Sequence, residues 1–343
     1  MSSHVQKTLG FLAASAVMLA VSAFAADPQV FRYTTSDPYE PATSATAAQA
    51  LVLKTQLDAL SGGEIKVEIY PNGQLGDQRS VVQQIRRGTI GGGNISVGVL
   101  GSLYYPKLGV IDLPFLFKSR WHFRKAMAND NPFIHDLIEE VAKASGVRIL
   151  SFHPYGFRHL TNSKRTIRQP SDLAGLKIRT MEIVPHQEMI KALGGTPVPI
   201  PFLELYTSLQ TGVVDGEENT PSNVILQKFY QVQKYMTLDQ HLMTVGAIII
   251  NDKWFKGLSP ELRKAVIDAD MEGRLAHDGV GAVQDVLAID QIEKFGTEVT
   301  RLSPQEMESF RKAAVVPVRA WANEQWGKEF VDGFYKTLAD AEK

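Results

Sequence analysis

The longest helical signal in this sequence runs from Ser259 to Gly296, and it limits the folds open to the chain. Ser259 can cap a helix, Pro260 suits the first helical position, and no other proline follows until Pro304. A single helix over 260–295 would be about 54 Å long at 1.5 Å per residue, which exceeds the diameter of a small domain. We therefore expect this helix to cross between two domains or to run along both. The alternative is two shorter helices, with a bend at one of the internal glycines Gly273, Gly279 and Gly281.

The composition predicts a globular protein of about two domains. The chain has 343 residues, of which 44% are hydrophobic and 21% are charged. Its 36 basic and 37 acidic residues leave a net charge of −1, which gives no reason to expect nucleic acid as a partner. Because the chain has no cysteine, disulfides, thiolate metal ligands, a cysteine nucleophile and a lipid-modified N-terminal cysteine are excluded.

The N-terminus has the pattern of a cleaved signal peptide over residues 1–25. Lys7 supplies a positive charge, Gly10 to Val21 is apolar, and Ala23-Phe24-Ala25 offers small residues to a signal peptidase. The alternative is an uncleaved membrane anchor. We expect an exported protein of the bacterial periplasm whose stability, without disulfides, comes from packing alone.

Strand and helix patterns alternate along the rest of the chain. Apolar alternation over 64–70 predicts a strand, and helical spacing on either side predicts helices that end at Gly62-Gly63 and Gly88. Further strands are predicted at 147–153, 175–180 and 242–250, and further helices at 185–193 and 203–210. This alternation predicts an α/β fold with parallel strand pairing.

Short catalytic and cofactor motifs are absent from the sequence. It contains no GxSxG, no GxxxxGK[ST] and no HExxH, and its eight histidines show no pair at metal-ligand spacing. Asp215-Gly216-Glu217-Glu218 lacks the alternating ligands of a calcium loop, so we interpret it as a solvated acidic turn at a helix start. We expect no enzyme activity, no cofactor and no metal.

Two arginines, Arg158 and Arg179, each follow a short apolar strand. Ligands of α/β folds bind at the carboxyl ends of strands, and a guanidinium matches a carboxylate with two parallel hydrogen bonds. Two arginines in one cleft would therefore select an acid. The alternative is that they pair with structural carboxylates such as Asp172 or Asp215.

Several segments in this order resemble the periplasmic substrate-binding proteins of TRAP transporters (tripartite ATP-independent periplasmic transporters, the DctP-like group). The resemblance covers nearly the whole chain after the signal peptide. The segments that carry it are Tyr70 to Gly76 (YPNGQLG), Leu113 to Phe117 (LPFLF), Gly175 to Arg179 (GLKIR) and Val214 to Asn219 (VDGEEN).

The resemblance implies a two-lobed α/β periplasmic binding protein of the type II, Venus-flytrap kind. Its lobes close on a ligand and are joined by cross-over strands and a long helix. Carried onto this chain, the division places residues 26–150 and about 240–258 in lobe I, and residues 151–239 and about 297–325 in lobe II. The connecting helix takes 259–296 and a C-terminal helix takes 326–343.

The resemblance also assigns ligand contacts. Arg179 matches the arginine that grips the ligand carboxylate, and Arg158 matches a second arginine near the same group. Asn219 matches an amide contact, Phe202 an aromatic residue beside the ligand, and Glu182 a polar contact. Less specific matches to positions that line the cleft are Ser36, Asp77, Ser96 and His241. The alternatives are that Asp77 caps the helix that follows it and that Ser36 and Ser96 are ordinary turn and strand residues.

The sequence departs from the family pattern in two places. The loop over 35–43 is longer than the usual turn, and Ile90-Gly91-Gly92-Gly93 stands where many members carry an acidic residue. Because Glu182 is acidic, it would repel a second carboxylate. We therefore expect a hydroxylated or sugar acid in preference to a C4-dicarboxylate.

The predicted function is capture of a small organic acid and its delivery to the small and large TRAP membrane subunits, by a protein that we expect to be a monomer. The alternatives are a binding protein that serves a sensor kinase and an exported enzyme that acts on small acids.

Overall fold

The computed structural model describes residues 27–343, so the predicted signal peptide lies outside the described residues. The strands are β1 Gln29–Thr34, β2 Ile65–Tyr70, β3 Gly92–Ser96, β4 Val147–Asn162, β5 Lys177–Thr180, β6 Thr196–Pro199, β7 Gly216–Asn219, β8 Tyr235–Asn251 and β9 Glu298–Arg301. The α-helices are α1 Ala45–Leu60, α2 Gln78–Arg87, α3 Val97–Tyr104, α4 Arg120–Ala126, α5 Pro132–Ser145, α6 Val184–Ala192, α7 Leu205–Gln210, α8 Pro221–Leu226, α9 Asp252–Gly257, α10 Pro260–Lys294, α11 Pro304–Trp326 and α12 Lys328–Asp340. Short 3-10 helices cover Pro106–Asp112, Pro170–Leu173, Phe202–Glu204 and Phe229–Gln231. None of the helices in this part of the chain is both long and apolar enough to span a bilayer.

All nine strands belong to one sheet, which serves both lobes of the α/β fold. The strand order is β2-β1-β3-β8-β4-β7-β5-β6, and β9 pairs with β8. The outer strands pair in parallel, as the alternation predicts, but β8 pairs antiparallel with β3 and β4, and β4 pairs antiparallel with β7. The expectation of parallel pairing is therefore wrong for the centre of the sheet, where two long strands cross from one half to the other.

The two central strands are longer than the sequence predicts, because each passes an irregularity. Register shifts in β4 fall between Ile149 and Ser151, between Pro154 and Gly156, and between Arg158 and Leu160. Opposite the last shift, residues 238–241 of β8 bulge out of the ladder, and Gln240 has a left-handed φ of 47°. Pro and Gly residues weaken a strand pattern, so the predicted strand ended at residue 153, whereas β4 continues through these bulges into the second half of the sheet.

The segment 260–294 forms one helix, α10. Its N-cap Ser259 accepts a hydrogen bond from the Leu262 amide, and Gly296 follows its C-terminus with a φ of 96°. The helix packs along α1, α8 and β4. A Cβ at Gly273 would lie 3.1 Å from the Gln49 carbonyl oxygen, so this glycine permits close packing of α1 on α10.

The core lies on both faces of the sheet. One face of the β1–β3 half packs on α1 and α10, with Phe31, Leu53 and Ala269 in a single buried cluster. The largest cluster covers the opposite face and extends to α11 and α12, where Phe310 and Phe334 are fully buried. Helices on both faces hold the strand ends in place, and the cleft opens at those ends.

Candidate functional site

A cavity with an empty volume of about 400 Å³ lies between the two halves of the sheet. Its walls include the turn after β1 and the carboxyl ends of β3, β5 and β7, and the central parts of β4 and β8 contribute Tyr155, Arg158 and Thr244. This is where α/β folds bind ligands. The lining residues are Ser36, Asp37, Gln78, Asn94, Ser96, Tyr155, Arg158, Arg179, Met181, Phe202, Asn219, Asn223 and Thr244.

Six of the nine predicted contacts line this cavity, and three do not. The six are Ser36, Ser96, Arg158, Arg179, Phe202 and Asn219. Asp77 and Glu182 line an adjoining cavity of about 320 Å³, which shares Ser36, Arg179 and Phe202 with the first. His241 is fully buried and is not part of either lining.

Arg179 brings a buried positive charge to the cavity. Only 1% of this residue is exposed, and its Nε donates to the Ile200 carbonyl oxygen at 2.8 Å. Its Nη1 is buried and has no hydrogen-bond partner within residues 27–343. The carboxylates of Glu217, Glu218 and Glu182 attract Arg179, but none of them forms a salt bridge with it. Burial, followed by repulsion from Arg158, lowers the pKa of Arg179 to about 10, so it is still a cation at neutral pH. A buried cation without a carboxylate partner favours a bound anion.

Arg158 is engaged by the protein itself. It lies inside β4, and not after a strand as the sequence predicted. Its Nε donates to the Glu218 carboxylate, and its Nη2 donates to the Glu218 carbonyl oxygen. Its Nη1 donates to Thr244 Oγ1 at 2.9 Å and to Asn219 Oδ1 at 3.2 Å. The alternative of a structural ion pair therefore applies to Arg158, although its partner is Glu218 and not Asp172 or Asp215.

The hydrogen bonds around Asn219 fix the orientation of its amide. Its Oδ1 accepts from Arg158 Nη1, from Asn223 Nδ2 at 2.9 Å and from the Thr220 amide at 3.0 Å. Three donors converge on one atom, so that atom is the oxygen and the amide nitrogen is left to donate. Asn219 Nδ2 and the Arg179 guanidinium therefore both offer N–H groups to the cavity.

Glu218 carries the buried network behind Arg158. The interpretation of residues 215–218 as a solvated turn is wrong, because Glu217 and Glu218 are fully buried in strand β7. The Glu218 carboxylate also contacts His241 Nε2 at 3.2 Å and His186 Nδ1 at 3.3 Å. Burial alone would raise the pKa of Glu218, but Arg158 and His186 outweigh it and hold the pKa well below its usual range.

His241 completes this network from the bulge of β8. Its Nδ1 lies 2.8 Å from Asp239 Oδ2, so the ring bridges two buried carboxylates. Burial lowers the pKa of His241, but Asp239 and Glu218 outweigh that effect and raise it to about 9. His241 therefore supports Arg158 through Glu218, and it does not line the cavity.

Glu182 and Asp77 have partners outside the main cavity. Glu182 Oε1 lies 3.8 Å from Arg79 Nε on α2, across the mouth of the cleft. Asp77 is the N-cap of α2 and accepts from the Ser80 amide at 2.7 Å. Glu182 also lines the adjoining cavity together with Arg179, so its repulsion of a second carboxylate stays a prediction.

Sequence reasoning missed several lining residues. Asp37 stands in the loop identified as unusually long, and Asn94 follows the Gly91-Gly92-Gly93 run, so both had a local signal. The others had none; they are Gln78, Tyr155, Met181, Asn223 and Thr244. Within residues 27–343 we find no group of three or more His, Asp or Glu side chains that could hold a metal ion.

Comparison with known proteins points to one family. The family model described as "Bacterial extracellular solute-binding protein, family 7" matches residues 38–325. The 2,3-diketo-L-gulonate-binding periplasmic protein of Escherichia coli K12 is 32% identical over 265 residues, which cover 75% of this chain and 78% of that protein.

Two solved structures extend the likeness to the fold. The sugar acid binding protein of Advenella mimigardefordensis, in complex with galactonate, has a TM-score of 0.86 and 29% identity over 92% of this chain and 99% of its own. A TRAP periplasmic solute-binding protein from Polaromonas, bound to D-erythronate, has a TM-score of 0.83 and 32% identity over 90% of this chain and 98% of its own.

Proposed function

Because the chain belongs to family 7 of the bacterial extracellular solute-binding proteins, we propose that its cleft captures a small organic acid through the acid's carboxylate. Members of this family are periplasmic proteins that bind solutes for TRAP transporters and are not enzymes. In the proposed function the protein is exported by a cleaved signal peptide at 1–25. It acts as a monomer, with lobes divided as the sequence predicts, and delivers the acid to the small and large membrane subunits.

The observation that carries this proposal is the buried Arg179 guanidinium without a carboxylate partner. A ligand carboxylate beside it would form a charge-assisted, two-pronged hydrogen bond and would offset the cost of burying the cation. Asn219 Nδ2 adds a neutral donor in the same cavity. Arg158 contributes its positive charge and orients Asn219, because nearly all of its donors are already used by the protein.

Capture is coupled to closure in this mechanism. Arg179 and Asn219 belong to the β5–β7 half of the sheet, whereas Ser36 and Ser96 belong to the β1–β3 half. A ligand that contacts both walls binds the closed form more tightly than the open form, so it shifts the population towards closure. The closed surface would then be recognised by the membrane subunits.

Substitution of Arg179 tests the proposal. The purified protein is screened by differential scanning fluorimetry against organic acids, the acid that stabilises it most is measured by calorimetry, and co-purified molecules are identified by mass spectrometry. Arg179→Ala should weaken binding of that acid by about 100-fold or more, because a buried carboxylate would lose its partner. Arg179→Lys keeps the charge but loses the planar fork, so it should restore only part of the affinity.

Arg32→Ala is the matched control, because Arg32 is an exposed arginine of β1 outside the cavity. It should bind the acid as the unaltered protein does. Equal affinity of the Arg179→Ala protein, or preferential binding of uncharged solutes, would contradict the proposed function.

A further inference from the structure

We propose that Asp37 sets the ligand class by accepting a hydrogen bond from a ligand hydroxyl and excluding a second carboxylate. The substrates would then be polyhydroxylated monocarboxylic acids of the aldonate kind. This inference rests on the proposed function, since it assumes that Arg179 holds the ligand's carboxylate at the other wall of the cleft.

Asp37 is an acid buried in the wall of the cavity with no basic partner. It is 5% exposed, and no basic side chain of the described chain lies within 4.0 Å of its carboxylate. Its Oδ2 accepts from Thr46 Oγ1 at 2.8 Å, which holds the carboxylate in one orientation at the start of α1. Burial raises the pKa of Asp37, and the hydrogen bond from Thr46 opposes this change. Because Thr46 occupies only Oδ2, the other oxygen keeps accepting capacity for a donor from the cavity.

A second carboxylate on the ligand would find no counter-charge in this site. The main cavity continues on one side past Glu182 and on the other side, through Asp37 and Tyr155, into a space of about 290 Å³. Arg158 and Arg179 are the only basic residues in the three linings, and Arg158 is paired with Glu218. A second anionic group would therefore have no cation to pair with once Arg179 is occupied, and burying an unpaired anion is costly.

The lining beyond Asp37 suits hydroxyl groups. Apart from Asp37 it contains no charged side chain, and its polar groups are hydroxyls and amides that can both donate and accept. Its residues are Asp37, Thr43, Ser44, Ala45, Thr46, Tyr155, Ser222, Asn223, Leu226, Gly281 and Gln284. If the carboxylate of a polyhydroxylated acid binds Arg179, the hydroxyl groups further along the ligand could form hydrogen bonds with this lining in place of those they form with water.

Because Asp37 follows β1 and Arg179 lies in β5, the two ends of such a ligand are read by opposite walls of the cleft. Arg179 alone would accept any carboxylate. Asp37 then distinguishes acids by the group at the ligand end opposite the carboxylate. Only a hydrogen-bond donor at that end allows the two walls of the cleft to close on the ligand.

Matched pairs of acids test this directly. D-galactonate and galactarate differ only in a terminal hydroxymethyl or carboxylate group, and D-erythronate and meso-tartrate differ in the same way. By calorimetry at pH 7, at least one aldonate should bind about tenfold or more tightly than its dicarboxylate partner. Tighter binding of the dicarboxylates, binding of neither pair, or tighter binding of 4-aminobutyrate than of erythronate would overturn the inference.

The variant Asp37→Asn removes the charge and keeps the shape. It should reduce the aldonate-to-dicarboxylate ratio to less than about threefold. Glu40→Gln on the same loop is the matched control, because Glu40 is exposed and lies outside all three linings, and it should leave the ratio unchanged. An unchanged ratio in a folded Asp37→Asn protein would overturn the inference. If that variant does not fold, the ratio measured with the unaltered protein decides.

Failure of this inference is distinguishable from failure of the proposed function. If dicarboxylates bind best and their binding requires Arg179, only the role of Asp37 is wrong. If no acid binds in an Arg179-dependent manner, the proposed function itself is wrong.

Discussion

Arg158 and Arg179 line the same cavity but differ in what their N–H groups bind. Arg158 is held by Glu218, Asn219 and Thr244, whereas Arg179 has only the Ile200 carbonyl. The difference depends on strand pairing, because β7 lies beside both β4 and β5 and brings Glu218 to Arg158. Spacing along the chain contains no such information, so the sequence predicted both residues but not how their roles divide.

His241 makes the stability of the fold depend on pH. Its pKa in the folded protein is about 9, above its ordinary value near 6.5. The stabilisation from its two carboxylate contacts is therefore complete below about pH 6.5 and is lost as the pH rises through 9. The free energy of unfolding, measured in urea, should therefore fall between pH 6 and pH 9. His241→Gln should make this fall smaller, by an amount on the order of 3 kcal/mol at most.

The exposed His135 is the control for this experiment, because His135→Gln removes a histidine whose side chain is 63% exposed. It should leave the pH dependence of unfolding unchanged. If the free energy of unfolding changes with pH to the same extent in the unaltered protein and in His241→Gln, the two carboxylates do not stabilise a protonated His241.

Arg120 links three elements at the register shift of β4 between Pro154 and Gly156. Its Nη1 and Nη2 donate to the carbonyl oxygens of Pro154 and Tyr155 at 2.8 and 3.0 Å. Its Nε donates to Asp285 on α10 at 2.6 Å. The register shift takes these carbonyls out of the regular ladder, and the arginine at the start of α4 supplies the missing donors.

Arg120→Met should therefore lower the free energy of unfolding by about 2–4 kcal/mol, since two carbonyls and a carboxylate lose their donors. The neighbouring Arg124 offers a matched control on the same helix. It pairs with Asp278 of α10 at 2.8 Å, but its side chain is 43% exposed, so Arg124→Met should cost less than about 1 kcal/mol. Equal losses in denaturant melts of the two variants would contradict the role given to Arg120.

Elements with strong local signals were predictable from the sequence, and elements that depend on distant pairing were not. The caps around α10 made a single helix the favoured prediction, and α2 begins at Asp77 and ends at Gly88 as expected. The second half of β4 contains polar and small residues that are buried only because β7 and β8 cover them. The hydrophobic pattern of this half does not indicate a strand, because its residues are buried by strands that come from elsewhere in the chain.

At the scale of the whole molecule, the two halves of the sheet face each other across the cleft. Arg79 and Glu182 come from opposite walls, and Leu203 lies so close to Gly73 that a Cβ on this glycine would be 2.6 Å from its side chain. These contacts are at the rim, outside the main cavity. They favour the closed arrangement of the cleft without contacting the ligand.

Glu182→Gln should consequently weaken binding by no more than about fivefold, because a partly exposed ion pair is worth less than about 1 kcal/mol. The reduction should be equal for all ligands and should disappear in 0.5 M salt, where screening already weakens the pair. Calorimetry of several acids at two salt concentrations checks this. A loss above tenfold, or one confined to hydroxylated acids, would restore the direct ligand contact that the resemblance assigned to Glu182.

The central position of β8 also determines when the chain can fold as it is made. β8 separates β3 from β4, and α1 packs on α10, which ends at Lys294. Strands β1 to β3 can pair with one another early, and so can β4 to β7, but the pairing that joins the two halves requires β8, which ends at residue 251. The packing of α1 on α10 requires a still longer chain, so the contacts that unite the two halves form late, when most of the polypeptide has been made.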